Sequence, residues 1–176
     1  MKKFELTSEF ITNIFGTKLF RIKALIEFGN VKAGELGGFT EKEENLSQDG
    51  NAWVYDNARV YGDACVCGDA RVHGNARVYG NAWVYGDACV CGDACVYGDA
   101  CVYGDAGYAT VHGFGSEYRT TTFFKTKAGD IGVKCGCFYG NLSEFRKKVV
   151  ETHGETKKAK EYLMLADLME FRLTHK

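Results

Sequence analysis

The middle of the chain repeats a six-residue pattern of small, polar and apolar positions. From Gly50 to Ala109 it runs as ten hexads without an insertion: Gly usually leads, Asn or Asp follows, Ala is third, and Val is fifth in nine of the ten. Residues two apart on a strand face the same side, so Ala and Val form one apolar face and the residue between them faces outward. Each hexad therefore predicts a short strand and a Gly-Asx corner, a unit that buries its apolar face only by stacking.

This repeat resembles the hexapeptide repeat of left-handed β-helix proteins, in which three hexads form one triangular coil. Residues 31–50, VKAGELGGFTEKEENLSQDG, resemble the entry coil of hexapeptide-repeat proteins that are common in phages and prophages. The N-terminal extension of those proteins resembles residues 3–28, which we expect to form a β-hairpin that caps the first coil. The resemblance implies a mainly β fold: a left-handed parallel β-helix with an N-terminal β-hairpin cap and a small C-terminal α+β module.

The tail of the chain follows a different pattern. Residues 120–127 and 131–138 predict a β-hairpin, and Asn141 is a good N-cap for a helix that ends near Gly154. Glu144, three residues after the cap, completes a capping-box pattern. A second, amphipathic helix is predicted near the C-terminus and needs a partner surface. The tail also resembles a C-terminal module of phage-encoded proteins.

Charge changes sharply where the repeat ends. Residues 50–113 hold three Arg and seven Asp with no Lys or Glu, whereas residues 114–176 hold 12 basic and 8 acidic residues. Such a break indicates a change of architecture. We therefore divide the chain into an N-terminal β cap at 1–30, a left-handed β-helix at 31–113, and a C-terminal hairpin with two helices at 114–176.

Overall composition narrows the range of partners and compartments. A net charge of −1 argues against binding to long nucleic acids, and the apolar runs are too short to span a bilayer. No charged-then-apolar signal opens the chain, so we expect a cytoplasmic protein without a membrane partner, in the host cytoplasm if phage-encoded. The spacing of the eight cysteines does not suggest a disulfide framework, and reduced thiols are expected.

The coil length places the outward residues in columns. With 18 residues per coil, positions i and i+18 stack about 4.8 Å apart. The three faces then carry, at the outward position, Trp53, Arg71, Cys89 and Gly107; Arg59, Arg77 and Cys95; and Cys65, Trp83 and Cys101. At the last hexad position they carry Tyr55, His73 and Cys91; Tyr61, Tyr79 and Tyr97; and Cys67, Tyr85 and Tyr103. This dense outward Trp, Tyr and Cys is too apolar for a soluble monomer and predicts a homotrimer with parallel axes.

The second of these faces is the candidate ligand site. Guanidinium groups beside aromatic rings suit a phosphate and a base, so we expect a small anionic, nucleotide-like ligand between subunits. The expected ligand-binding residues are Arg59, Arg77, Tyr61, Tyr79, Tyr97, Arg71, His73, Arg119, Thr120 and Lys125. The alternative is that this face is only a subunit interface, since Tyr and Arg are enriched there too.

Two residue groups raise the question of metal binding. His73, Cys89 and Cys91 suggest a metal site, but a fourth ligand is not evident, and Cys as a small packing residue is the favoured interpretation. The corner column Asp69, Asp87 and Asp105 suits either solvated carboxylates or calcium, and solvation is favoured. We therefore predict no resident metal and no cofactor.

Three functions fit the sequence. The first is a non-catalytic binding protein that sequesters its ligand, with a counter-defence role as its most concrete form. The second is an acyltransferase, since the scaffold is similar to that of hexapeptide enzymes that use CoA or acyl-carrier-protein donors and a His base. Only His73 and His112 lie in or beside the repeat and no loop interrupts it, so we rank this second and assign no catalytic residue. The third is a structural or host-protein-blocking module.

Overall fold

The centre of the protein is a parallel β-solenoid of about four turns. A computed structural model describes residues 1–104, 107–115, 117 and 119–174. The fold class predicted from the repeat is confirmed: the chain is mainly β, and two C-terminal helices pack on a small sheet.

Three parallel sheets form the sides of the solenoid, and we number them in chain order. The first face contains β4 (Trp53–Val54), β7 (Arg71–Val72) and β10 (Cys89–Val90). The second face contains β5 (Arg59–Val60), β8 (Arg77–Val78) and β11 (Cys95–Val96). The third face contains β6 (Cys65–Val66), β9 (Trp83–Tyr85) and β12 (Cys101–Tyr103). Arg59 pairs with Arg77, and Arg77 with Cys95, so the 18-residue register predicted from the sequence is confirmed.

The inside of the solenoid is built from the repeated Ala and Val. From Ala52 to Val102 every one of these side chains is buried. Backbone amides donate to the carbonyl groups of the next coil, as from Arg59 N to Ala76 O at 2.9 Å. Glycine at the corners has φ between +65° and +75°, a region that residues with a Cβ adopt at a cost. The repeat therefore fixes the outward positions on a regular, closely spaced lattice.

An N-terminal hairpin extends the second face. Strands β1 (Phe4–Thr12) and β2 (Lys18–Ala24) pair antiparallel, and β2 pairs with β3 (Leu36–Thr40). Strand β3 in turn runs parallel to β5, so cap and solenoid share one sheet of six strands.

This cap changes the surroundings of Trp53. The side chain was expected to be exposed on the first face, but it is fully buried. The rings of Phe4 and Phe28 lie 6.2 and 5.3 Å from it, centroid to centroid. Trp53 is thus part of the packing between cap and solenoid, and the surface available to a partner is smaller than the sequence suggests.

Lys3 is buried in the same cap. Its Nζ donates to the carbonyl groups of Ala52 at 3.0 Å and Gly50 at 3.3 Å, and lies 4.9 Å from the centre of the Phe28 ring. Burial lowers the pKa of Lys3 to about 8, and the Asp49 carboxylate opposes this effect.

The depressed pKa of Lys3 predicts a stability change at alkaline pH. Between about pH 8 and 10.5 the unfolded chain binds the Lys3 proton and the folded chain does not, so the free energy of unfolding rises with pH there. Lys3→Met removes this titration. We expect urea denaturation to show that the free energy of unfolding of the wild type, minus that of Lys3→Met, increases from pH 7.5 to 10.5. A difference that does not change with pH would contradict the assignment.

The C-terminal module contains a four-stranded antiparallel sheet and two helices. The strands are β13 (Tyr108–Val111), β14 (Thr121–Lys125), β15 (Ile131–Cys135) and β16 (Phe138–Asn141). The helices are α1 (Leu142–His153) and α2 (Lys157–Thr174). The predicted capping box is confirmed, with Asn141 Oδ1 accepting from Glu144 N at 2.9 Å and Glu144 Oε2 from Asn141 N at 2.8 Å. Within the described ranges no helix has the length and apolar character that a membrane crossing requires.

The solenoid ends one hexad earlier than the repeat does. Tyr108 occupies the position where the other nine hexads have Val, and its strand pairs antiparallel with β14. Its hydroxyl donates to Cys89 O at 2.8 Å and accepts from Cys91 N at 3.1 Å. The antiparallel sheet therefore starts inside the range that the sequence analysis gave to the β-helix, because a tyrosine replaces the valine needed for another coil.

Strand β14 joins the solenoid to the module. Phe124 is fully buried in the solenoid core, whereas its neighbour Phe123 is fully buried in the core of the module, beside Phe145. Thr122 Oγ1 accepts a hydrogen bond from Cys95 N at 3.0 Å, which continues the ladder of the second face. Because neighbouring side chains of β14 enter the two cores, this strand closes the end of the solenoid and holds the module against it.

Candidate functional site

A groove of about 630 Å³ runs along the second face. Its walls are the tip of the N-terminal hairpin and the loops of the C-terminal module, so three parts of the chain meet there. Six residues predicted from the sequence line it: Arg59, Tyr61, Arg77, Tyr79, Arg119 and Thr120.

The groove is basic. Four cationic side chains line it against one carboxylate, that of Asp93. In the part of the chain that the structure describes, no salt bridge joins Arg59, Arg77 or Arg119 to a carboxylate. Lys134 Nζ donates to the carbonyl of Gly136 at 2.8 Å, a neutral partner that leaves its charge uncompensated. This charge distribution favours an anion in the groove.

The tyrosines of the second face form a stacked ladder. The rings of Tyr61 and Tyr79 are 4.8 Å apart and nearly parallel, and those of Tyr79 and Tyr97 are 4.4 Å apart. Tyr139 packs edge-on against Tyr97 at 4.7 Å. Tyr79 therefore packs between Tyr61 and Tyr97, and Tyr97 between Tyr79 and Tyr139, so these two rings do not offer open faces to a base. They present edges and hydroxyl groups instead.

These tyrosine hydroxyl groups stay protonated at neutral pH. Burial raises the pKa of Tyr61, while the guanidinium groups of Arg77 and Arg59 act in the opposite direction. Burial, with a further contribution from the neighbouring Cys95 thiol 3.4 Å away, holds the pKa of Tyr79 well above its usual range. Both hydroxyl groups can therefore donate hydrogen bonds to an anion.

An open aromatic ring is supplied by the hairpin tip. Phe15 is 73% exposed and lines the groove beside Ile14, which is 90% exposed. Asn13 Oδ1 accepts hydrogen bonds from the amides of Phe15 and Thr17, both at 2.9 Å, so the turn is held in place. Neither residue was predicted from the sequence as part of the site. Two large apolar residues in a polar turn before Gly16 were the available signal.

Four of the predicted site residues do not line the groove. Arg71 and His73 belong to the first face, because each hexad takes the chain to the next side of the solenoid. Tyr97 lies beneath Tyr139, and Lys125 pairs with Ile131 in the C-terminal sheet. The column on the second face had grouped Tyr97 with the site, and residue type had grouped the other three.

The structure also shows the surroundings of the acidic corner column, the cysteine thiols and His112. Asp69 Oδ1 accepts a hydrogen bond from Asn51 at 2.8 Å, and Asp105 of the same corner column lies outside the described residues. No disulfide joins the eight cysteines. His112 Nδ1 lies 3.0 Å from Thr120 Oγ1, which places this histidine at the rim of the groove.

Comparison with known proteins agrees with the solenoid geometry. A family model described as the YdcK beta solenoid repeat matches residues 52–68, 70–86 and 76–92. The repeat is a hexapeptide-type β-solenoid. A curated protein of Escherichia coli (strain K12), "Uncharacterized acetyltransferase YdcK", is 40% identical over 63 residues. That match covers 32% of this chain, and the chain spans only 19% of the length of that relative. The likeness of the tail and of the whole chain to phage proteins stays a prediction.

Proposed function

We propose that the protein is a non-catalytic binding protein that holds a small phosphorylated, nucleotide-like anion in the second-face groove. The supporting observation is the set of four cationic side chains around a groove of about 630 Å³. Three of them are arginines that form no salt bridge with a carboxylate of the described residues. This volume lies within the range of small-molecule sites. A ligand held without turnover would be sequestered, which suits a counter-defence role in an infected cell.

The arginine pair on the second face would bind the phosphate of the ligand. Arg59 and Arg77 are direct neighbours in the parallel ladder, and like charges this close repel unless an anion lies between them. Guanidinium groups bind phosphate through paired charge-assisted hydrogen bonds. Arg119 and Lys134 approach from the C-terminal module, so the ligand would be held from two sides.

Phe15 is the residue on which the base of the ligand would stack. Base stacking on an aromatic ring contributes roughly 1–3 kcal/mol, so Phe15→Ala should weaken nucleotide binding by about tenfold. Ile14→Ala is the matched control and should cost much less, while Phe15→Trp should keep the affinity. Titration calorimetry with nucleoside mono-, di- and triphosphates, and with inorganic pyrophosphate as the base-free probe, measures this. Equal affinity for pyrophosphate and nucleotides would show that no base is recognised, and no heat with any probe would reject the function.

We also propose that the protein assembles as a homotrimer with parallel solenoid axes. The support is the third face, where Trp83 is 48% exposed and Tyr103 is 64% exposed. A partner subunit would cover these rings. Light scattering should give the trimer mass at micromolar concentration, and Trp83→Glu should lower it; a monomer mass for the wild type would reject the assembly.

Acyl transfer is the second candidate. It is supported by the name of the YdcK relative and by His112 at the groove rim, in contact with Thr120. A histidine there has the position of a general base for an acceptor in the groove. Acetyl-CoA consumption that disappears in His112→Ala would favour this candidate over the binding protein.

A further inference from the structure

Three soft donor atoms meet on the first face, away from the groove. His73 follows β7, Cys89 lies in β10, and Cys91 follows β10. Their donor atoms all lie within 4.8 Å of one another, and His73 Nε2 is 2.9 Å from Cys89 Sγ. Among the described residues, these three side chains form a group of His, Cys, Asp or Glu that is close enough to share one metal ion.

The other two faces serve as an internal comparison. On each face the last residue of one hexad contacts the outward cysteine 16 residues later: His73 with Cys89, Tyr79 with Cys95 at 3.4 Å, and Tyr85 with Cys101 at 3.3 Å. The position of Cys91 is occupied on the other faces by Tyr97 and Tyr103. The first face thus differs by two changes, Tyr to His and Tyr to Cys, and both add a metal-binding atom at the same place.

The backbone around the cluster is already fixed. The Tyr108 hydroxyl binds the Cys89 carbonyl and the Cys91 amide, so both cysteines are held on either side of Val90. The Tyr55 ring packs edge-on against the His73 imidazole at 6.3 Å. Only side-chain rotations are therefore needed to bring the three atoms onto one ion, and such preorganisation strengthens binding.

The cluster also opens to solvent beside a cavity. It borders a cavity of about 490 Å³, which Arg172 of α2 also lines. Cys91 is exposed, whereas Cys89 and His73 are half-buried. The cavity leaves space for a water as a further ligand.

We propose that His73, Cys89 and Cys91 form a zinc site with an open fourth position. Imidazole and thiolate are the ligands that Zn²⁺ prefers, at about 2.0–2.3 Å, and two thiolates balance its charge. Binding widens the separation of His73 Nε2 and Cys89 Sγ to about 3.5 Å, as tetrahedral geometry at those bond lengths requires. Three protein ligands and one exchangeable position match open zinc sites, whereas closed structural sites have four. This site is independent of the proposed anion groove.

Cobalt titration tests the site directly. Reduced, chelator-treated protein is titrated with Co²⁺, and we expect a thiolate-to-cobalt charge-transfer band and tetrahedral visible bands that saturate at one ion per chain. Zn²⁺ should then abolish them by displacement. No bands in the wild type would overturn the proposal.

The repeat supplies the matched variant. The double change His73→Tyr and Cys91→Tyr copies the residues that the third face carries at Tyr85 and Tyr103, so the solenoid should fold while the bands disappear. Cys91→Ser alone should weaken metal binding by about a hundredfold. This is at or above the loss that follows removal of a residue that only hydrogen-bonds to a metal ligand. Cys95→Ser and Cys137→Ser, which lie outside the cluster, should leave the titration unchanged.

Other outcomes of these variants would overturn the proposal. Bands that persist in Cys91→Ser, or that depend instead on Cys137, would place the metal elsewhere. Circular dichroism of each variant separates loss of binding from loss of fold, and the conservative Cys91→Ser keeps the test valid if the double variant does not fold.

Discussion

Arg77→Glu is expected to abolish anion binding while the fold is retained. The change removes a charge-assisted contact that contributes roughly 1.5–3 kcal/mol and places a carboxylate opposite the ligand, so the loss should exceed about a hundredfold. Arg77 points outward from β8 and is exposed, and the backbone ladder around it does not use its side chain. Titration calorimetry with the tightest-binding nucleotide measures the loss.

The solenoid offers a matched control for this prediction. Arg71 occupies the same position of its hexad and is equally exposed, but it lies on the first face and does not line the groove. Arg71→Glu makes the same charge change and should leave binding within a factor of two or so. If both variants lose binding, the effect is one of overall charge and not of the groove. If Arg77→Glu instead separates the subunits, the second face acts only as an interface.

Phe124→Ala is expected to produce the largest loss of stability. The ring is fully buried against the last coil, and truncation of such a side chain costs about 3–5 kcal/mol in transfer free energy and cavity formation. Because this ring closes the solenoid, the coil nearest the module should open first. Urea denaturation measures the overall loss, and amide hydrogen exchange should show lower protection at Val96 and Val102.

Phe123→Ala is the control for that assignment. Phe123 is equally buried but faces the helices, so its truncation should loosen the module while the amides of the coil retain their protection. Phe124→Leu should give an intermediate loss. Equal loss of protection in both alanine variants would mean that solenoid and module unfold as one unit.

The register of the solenoid was predictable from the sequence because it depends only on the length of the repeat and the number of sides. An uninterrupted six-residue period with three sides places each residue over the one 18 positions later, and the pairing of Arg59, Arg77 and Cys95 follows directly. The capping box at Asn141 was predictable for a similar reason, since its two hydrogen bonds join residues only three apart.

The full groove was not predictable because its walls depend on contacts between distant segments. Phe15 and Lys134 approach Arg77 through the packing of the hairpin and the C-terminal sheet, which no local pattern encodes. The same reason explains why Trp53 is buried. The alternating pattern places its side chain outside the solenoid, but the cap covers it. For the tyrosine ladder the column was predictable, but the ring orientations that cover the faces depend on side-chain torsions.

The groove has one wall at each end of the solenoid, and this makes the coil number a molecular ruler. The hairpin with Phe15 and the loop with Arg119 are separated by a fixed number of coils, each about 4.8 Å high. Duplication of one 18-residue coil would keep both walls on the same face and widen the gap by one step, which would admit a longer ligand. Insertion of a single hexad would instead rotate the C-terminal module by a third of a turn and separate the two walls altogether. Ligand length in such proteins would thus change in whole-coil increments.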